Sequence, residues 1–170
     1  MHHLHQQGHR RMGLVAAEGS PTSPYLLSAW RAAAEAGMSE MLAMRQLVAL
    51  GTPGDRGVLR DLLRECLRRK LTALIIHSDP HAISVAQFFA EHGVVVPDDV
   101  AIVSYDDEVA QLADPPLTAI RPPKSHVGRL AVELMVSRLL SGERRPTHQA
   151  LLAPELVVRG SSPPLAPGLR

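Results

Sequence analysis

The chain has 170 residues, of which 45% are hydrophobic and 21% are charged, and its formal net charge at pH 7 is +1. This length and composition are typical of a globular domain that has its own hydrophobic core. The near-neutral charge excludes a global electrostatic preference for nucleic acid, membranes or acidic partners, and the single Cys66 excludes an intrachain disulfide.

The first part of the chain alternates apolar runs with amphipathic patterns. Short apolar runs predict strands, whereas apolar residues that recur every three or four positions predict helices. The clearest helix is predicted over residues 55–70, where Leu59, Leu63 and Cys66 fall on one face. In chain order we predict a strand at 12–17, a loop at 18–24, a helix at 25–36, a strand at 44–50 and the helix at 55–70.

An arginine stripe lies on the opposite face of the helix predicted at 55–70. One interpretation is a surface that contacts phosphate groups. The other is a solvated face whose charge Asp61 and Glu65 partly compensate, and we favour this second interpretation. The stripe consists of Arg56, Arg60, Arg64 and Arg68.

The following segments continue the alternation. Residues 72–77 are apolar at nearly every position, which predicts a strand buried on both faces of a parallel sheet. Ser78 then offers an N-cap and Pro80 fits the first turn of a helix. The remaining predicted elements are this helix at 78–92, a strand at 100–105, an extended segment at 117–121, a helix at 124–140 and two short strands within 149–159 that are separated at Pro154.

This order of elements predicts the fold class. Strands that alternate with helices at this spacing are typical of right-handed βαβ crossovers. We therefore predict an α/β fold with a doubly wound, mainly parallel sheet. After residue 116 the rhythm changes, so the last elements do not simply continue the series.

Candidate ligand-binding residues follow from this fold class. In an open α/β sheet, ligands bind beyond the carboxyl ends of the parallel strands. Ser78 and Asp79 follow one buried strand, and Asp106 and Asp107 follow the next. Of the two later aspartates, one is expected to turn the chain, and we favour Asp106 for the cleft because it follows the strand directly. Carboxylates and hydroxyls of this kind suit a small, uncharged polyol or sugar.

An enzymatic interpretation has less support. The run from His77 to His81, together with the acidic residues 106–108, would allow a metal site, but its spacing matches no common ligand pattern. The sequence has neither a glycine-rich phosphate loop nor a G-x-S-x-G motif. We therefore expect no enzymatic activity, no cofactor and no metal, with a hydrolase or another enzyme as the alternative.

Five short segments carry a resemblance to a known family. In order and spacing they resemble the LacI/GalR family of bacterial transcription regulators, and the similarity spans roughly residues 4–162. The segments are LHQQGHRRM at 4–12, TALIIHSDPHA at 72–82, VPDDVAIVSYDD at 96–107, PPLTAIR at 115–121 and LLAPELVVRGS at 151–161.

The resemblance implies a type I periplasmic-binding-protein-like core, in which a small effector, a sugar or a related molecule, binds between two subdomains. It also implies a homodimer whose separate helix-turn-helix domain, absent from this chain, binds operator DNA. The dimer surface would involve residues 78–92 and 112–115. The implied divisions are 1–116 for the C-terminal subdomain, 117–153 for a crossover, helix and strand of the N-terminal subdomain, and 154–170 for a closing strand and tail.

The same resemblance assigns ligand positions. Leu26 stands where the family commonly has an arginine, Thr52 lies near the position of a stacking aromatic residue, and Ser78 replaces an asparagine. Asp106 keeps the usual residue type. The predicted ligand-binding residues are Thr22, Leu26, Thr52, Ser78, Asp79 and Asp106.

The location of the protein also follows as an expectation. No apolar signal segment follows the basic first residues and no apolar run is long enough to span a bilayer, so we expect a cytoplasmic protein that does not contact membranes. The alternative within this fold is the solute-binding protein of a transporter.

Overall fold

The computed structural model describes residues 1–16, 19–37, 54–141 and 149–163. The strand predicted at 44–50 lies outside these residues. The helices are α1 (His2–Gln6), α2 (Ser23–Glu35), α3 (Arg56–Arg69), α4 (Asp79–Glu91) and α5 (Lys124–Ser141), with one 3-10 turn (Ala110–Leu112). The strands are β1 (Met12–Val15), β2 (Ala73–Ile76), β3 (Ala101–Tyr105), β4 (Thr118–Arg121) and β5 (Glu155–Val157).

The strands form one sheet in the order β1-β2-β3-β4-β5. Strands β1 to β4 are parallel, and β5 is antiparallel to β4. In the register, Val15 lies beside Ile76, and Ile76 lies beside Ser104. The carboxyl ends of the first three strands are therefore level, and the predicted mainly parallel α/β sheet is confirmed.

Both faces of the sheet are covered by helices. On β2, Leu74 and Ile76 belong to the core cluster that contains α3 and α4 residues. Ala73 and Ile75 belong to the opposite cluster, which includes Trp30 of α2 and a leucine of α1. Strand β2 is thus buried on both faces, as its continuous apolar run predicts.

Helix α3 agrees with its predicted bounds to within one residue at each end. The Asp55 carboxylate accepts hydrogen bonds from the backbone N–H groups of Gly57 and Val58, and the helix ends before Lys70, whose φ is 52°. Three arginines of the stripe make ion pairs with exposed or half-exposed acids: Arg56 with Glu91, Arg64 with Asp61, and Arg68 with Glu65. These pairs favour the solvated-face interpretation.

The chain beyond residue 116 is divided between the sheet and a helix that the described residues leave exposed. Strand β4 pairs with β3, and β5 is the only strand formed in the described part of 149–159. The hydroxyl of Ser161 joins the sheet further, because it donates to the Ile102 carbonyl (2.6 Å) and accepts from the Thr118 N–H (2.8 Å). The implied boundary at 116/117 therefore does not interrupt the sheet. By contrast, no side chain from 124 to 140 is buried.

Candidate functional site at the carboxyl edge of the sheet

Side chains from two successive loops meet at the carboxyl edge of the sheet. Thr22 directly precedes α2, and His77 directly follows β2. The Thr22 hydroxyl oxygen lies 3.0 Å from Nε2 of His77. The Ser20 and Thr22 hydroxyl oxygens are 2.8 Å apart. The Ser78 hydroxyl oxygen lies 3.3 Å from Nδ1 of His81. This edge therefore carries two hydroxyl–imidazole contacts, one between Thr22 and His77 and one between Ser78 and His81.

His77 is the central side chain of this group. Its ring lies 5.0 Å from the Tyr105 ring at the end of β3, with a tilt of 34°. Burial lowers the pKa of His77, and the negative charge of Asp106 only partly offsets this effect. The imidazole is therefore neutral at pH 7. Among the described residues, its buried Nδ1 atom has no hydrogen-bond partner.

Asp106 follows β3 and retains a partly exposed carboxylate. Its side chain is 28% exposed, and one oxygen lies 3.0 Å from the Lys124 ammonium at the start of α5. The same ammonium lies 2.5 Å from the Glu108 carboxylate. The hydrogen bond to Glu108 raises the pKa of Lys124, and the hydrogen bond to Asp106 adds to that rise. A full positive charge thus stays beside Asp106 at neutral pH.

Asp107 has a different role from its neighbour. Its side chain is only 2% exposed, and it accepts hydrogen bonds from Arg159 (2.6 Å) and Arg121 (2.7 Å). Burial alone would raise the pKa of Asp107, but the two arginines outweigh burial and hold the pKa below its usual value. Asp106 and Asp107 have positive φ angles of 102° and 54°. This turn points one carboxylate inward and leaves the other accessible.

Asp79 is fully buried. One of its oxygens accepts from the Ser104 hydroxyl (2.6 Å), and the other accepts from the backbone N–H groups of Glu108 (2.7 Å) and Val109 (3.1 Å). The Asp79 carboxylate therefore has no exposed atom for a ligand. Its effect on the site is indirect, because it fixes the loop that carries Asp106.

Of the two remaining predicted ligand-binding positions, Leu26 and Thr52, only Leu26 lies within the described residues. Leu26 is half-buried and contacts the core cluster that contains Trp30, so it contributes an apolar wall on α2 where the family commonly has a charged side chain. Thr52 lies outside the described residues. Within the described ranges, no group of three or more histidine, cysteine, aspartate or glutamate side chains is arranged to hold a metal ion.

Two side chains of the candidate site, His77 and Lys124, are not among the ligand-binding residues that the sequence predicts. The sequence pattern links His77 only to the disfavoured metal site, although the position of His77 directly after a buried strand places it at the carboxyl edge. Lys124 gave no local signal, because it contacts Asp106 and Glu108 across the fold. In the part of the chain that the structure covers, no helix is both long and apolar enough to span a membrane.

Comparison with known proteins identifies the family. Residues 1–162 match the periplasmic binding protein-like domain. The HTH-type transcriptional repressor CytR of Escherichia coli K12 is 30% identical over 167 residues, which cover 95% of this chain and 48% of CytR. The ribose operon repressor of the same strain is 31% identical, covering 94% of this chain and 48% of the repressor. The chain thus spans about half the length of the curated relatives it matches.

Solved structures give the same result. A cellobiose complex of the transcriptional regulator CelR is 29% identical with a TM-score of 0.75, covering 93% of this chain and 48% of CelR. A lac repressor dimer bound to operator and the anti-inducer ONPF is 25% identical with a TM-score of 0.79, covering 97% of this chain and 48% of the repressor. The named relatives are regulators, which favours the LacI/GalR resemblance over the transporter alternative. The chain belongs to the periplasmic binding protein-like domain family, in the form found in LacI-type transcription regulators.

Proposed function

We propose that this chain is the effector-sensing portion of a LacI/GalR-type transcriptional repressor, and that its effector is a small polyhydroxylated molecule related to a sugar. The observation that carries the proposal is the group formed by Thr22, His77 and Asp106 at the carboxyl edge of the sheet. The relatives are named as repressors and regulators, so we propose a binding role and not catalysis.

The chemistry of this edge fits hydroxyl groups better than a charged ligand. The two oxygens of Asp106 can accept hydrogen bonds from two vicinal hydroxyls, while Thr22 and Ser78 can both donate and accept. His77 acts through Thr22, because its Nε2 lies 3.0 Å from the Thr22 hydroxyl while its Nδ1 is buried. A ligand hydroxyl at Asp106 competes with Lys124, which already lies 3.0 Å from that carboxylate. Effector binding would therefore weaken the contact between Asp106 and the start of α5.

This competition offers a route from effector to regulation. In the proposed full-length protein, α5 packs on the second subdomain, and effector binding changes the arrangement of the two subdomains. Homodimerisation would use α4 and residues 112–115, and operator DNA would be bound by a domain outside this chain. Coupling between such sites is typically about 1–3 kcal/mol. A cytoplasmic location is part of the same proposal.

The test is ligand titration of the full 170-residue chain followed by NMR. D-ribose, cellobiose and adenosine are suitable probes, because NMR detects the weak affinities expected of half a cleft. We expect at least one probe to give saturable shifts at Thr22, His77 and Ser78. Asp106→Ala should weaken that binding at least about tenfold, a loss of about 1.4 kcal/mol. Asp61→Asn, which changes an exposed carboxylate on α3, should leave the binding unchanged.

Two results would contradict the proposal. One is the absence of saturable shifts at the carboxyl edge with all three probes. The other is binding that Asp106→Ala and Asp61→Asn weaken equally, because the carboxylate of Asp106 would then have no specific role.

A further inference from the structure

A cavity lies at the opposite edge of the sheet from the candidate functional site. It has a volume of about 480 Å³ and is bounded by the last turn of α3, the last turn of α4 and the loop that leads to β3. This volume falls within the range of small-molecule sites, about 300–1,000 Å³. We call it the amino-edge cavity. Its inner wall is apolar and consists of Leu63, Cys66, Leu71, Phe89, Val94 and Val100.

The six residues of the inner wall of the amino-edge cavity carry no charged or reactive side chain at neutral pH. All six wall residues are buried. Burial raises the pKa of the Cys66 thiol to about 12, so Cys66 behaves as a small apolar side chain at neutral pH. Leu67 also lines the cavity, yet it is 61% exposed. A ligand with an apolar body would cover this leucine and fill the space beside it.

The rim of the cavity supplies positive charge. Arg11 and Lys70 both line it, and Nε of Arg11 donates to the Lys70 carbonyl (2.7 Å), which holds the guanidinium beside the end of α3. Lys70 itself is exposed, and no ion pair of its ammonium is found among the described residues. The acidic residue at the rim, Asp99, already accepts a hydrogen bond from the Val95 N–H (2.8 Å).

The helix-end carbonyls near the cavity are already in use. The Cys66 carbonyl accepts from the Leu71 N–H (3.0 Å), and the Phe89 carbonyl accepts from the Val94 N–H (2.9 Å). A ligand that carried a positive group would therefore find few free acceptors here. A ligand that carried a carboxylate would find a cationic rim above an apolar wall.

We propose that the amino-edge cavity is a second small-molecule site, and that it binds an organic anion with a compact apolar body, such as a medium-chain or aromatic carboxylate. The apolar body contacts Leu67 and Phe89, and the carboxylate lies at the rim near Lys70 and Arg11. This site shares no residue with the carboxyl edge, so binding at the two sites can be tested with separate variants.

The test uses octanoate and benzoate as probes, with 1-octanol as the uncharged counterpart of octanoate, and NMR on the full chain. We expect saturable shifts of the Leu67, Thr72 and Val94 amides with at least one of the two anions, and weaker binding of 1-octanol. Leu67→Glu places a like charge at the mouth and should weaken anion binding at least about tenfold. Lys70→Asn tolerates the left-handed backbone at this position and should weaken binding several-fold.

The matched control is Leu139→Glu, which makes the same change at an exposed leucine of α5. It should leave the Leu67 and Thr72 shifts unchanged. The proposal is overturned if neither anion gives saturable shifts at the cavity, or if Leu67→Glu and Leu139→Glu have the same effect. Asp106→Ala should not change octanoate binding, so a failure here is distinguishable from a failure of the effector proposal.

Discussion

Helices α4 and α5 are both rich in apolar residues, yet only α4 belongs to the core. In α4, Phe89 is fully buried and Phe88 is 3% exposed. In α5, Met135 is 64% exposed and Leu139 is 77% exposed. Apolar composition therefore does not decide whether a helix contributes to this core. A helix contributes only where it packs against the sheet. Helix α5 carries an apolar surface that the described residues leave exposed, which supports the proposal that residues 124–140 pack on a second subdomain.

The largest effect is expected from a pair of truncations that compares the two helices directly. Phe89→Ala in α4 removes a fully buried ring from the core and should lower the free energy of unfolding by about 3–5 kcal/mol. Leu139→Ala in α5 removes an exposed side chain and should change it by less than about 0.5 kcal/mol. Urea denaturation followed by circular dichroism measures both values.

Equal losses for the two variants would show that α5 packs as tightly as α4 in solution. If Phe89→Ala does not fold, Phe89→Leu keeps most of the side-chain volume and should give a smaller loss in the same direction. A stable Phe89→Leu variant with no loss at all would also contradict the comparison.

The second prediction compares the charged residue at the start of each helix. Asp79 at the start of α4 is fully buried and serves three donors, so Asp79→Ala should cost about 2–4 kcal/mol by leaving the Ser104 hydroxyl and two backbone N–H groups unsatisfied. Lys124 at the start of α5 is 48% exposed, so Lys124→Met should cost at most about 1 kcal/mol. Thermal or urea denaturation gives both values.

Asp79→Asn provides the matched control for this pair, because it keeps an acceptor oxygen at the same position. Asp79→Asn should lower the free energy of unfolding by less than Asp79→Ala does. If Lys124→Met were as costly as Asp79→Ala, the ion pairs at the start of α5 would contribute far more to stability than their exposure suggests.

Much of the fold could be predicted because it depends on local periodicity. The strand predicted at 72–77 and the helix predicted at 55–70 both agree with the structure to within one residue at each end. The strand has a continuous apolar run, and the helix has a clear apolar period. The segment 149–159 was less predictable. Only Glu155–Val157 pairs, because a short edge strand depends on its contact with β4 more than on its own pattern.

The site could be predicted as a location more readily than as a set of contacts. Level parallel strands bring the residues after β2 and β3 to one edge, so Ser78 and Asp106 were identified from the fold class alone. The burial of Asp79 could not be predicted from the fold class. Its carboxylate accepts hydrogen bonds from Ser104 and Glu108, which lie more than 20 positions away in the sequence. Leu26 contacts the core, and this depends on how α2 lies over the sheet.

The smallest effect concerns Asp107, which anchors the segments before and after α5 through Arg121 and Arg159. The pKa of Asp107 lies below its ordinary 3.8, so its contribution to stability is present above that pH and is lost as the pH falls through the folded-state value. Asp107→Asn should therefore cost about 1–2 kcal/mol at neutral pH and flatten the acid-side loss of stability. Urea denaturation at several pH values below 5 measures both. Glu155 is an exposed acid 3.5 Å from the same Arg121, so Glu155→Gln should leave the loss of stability at acid pH unchanged. If Asp107→Asn lost stability more steeply with falling pH than the natural chain, the predicted direction of the effect would be wrong.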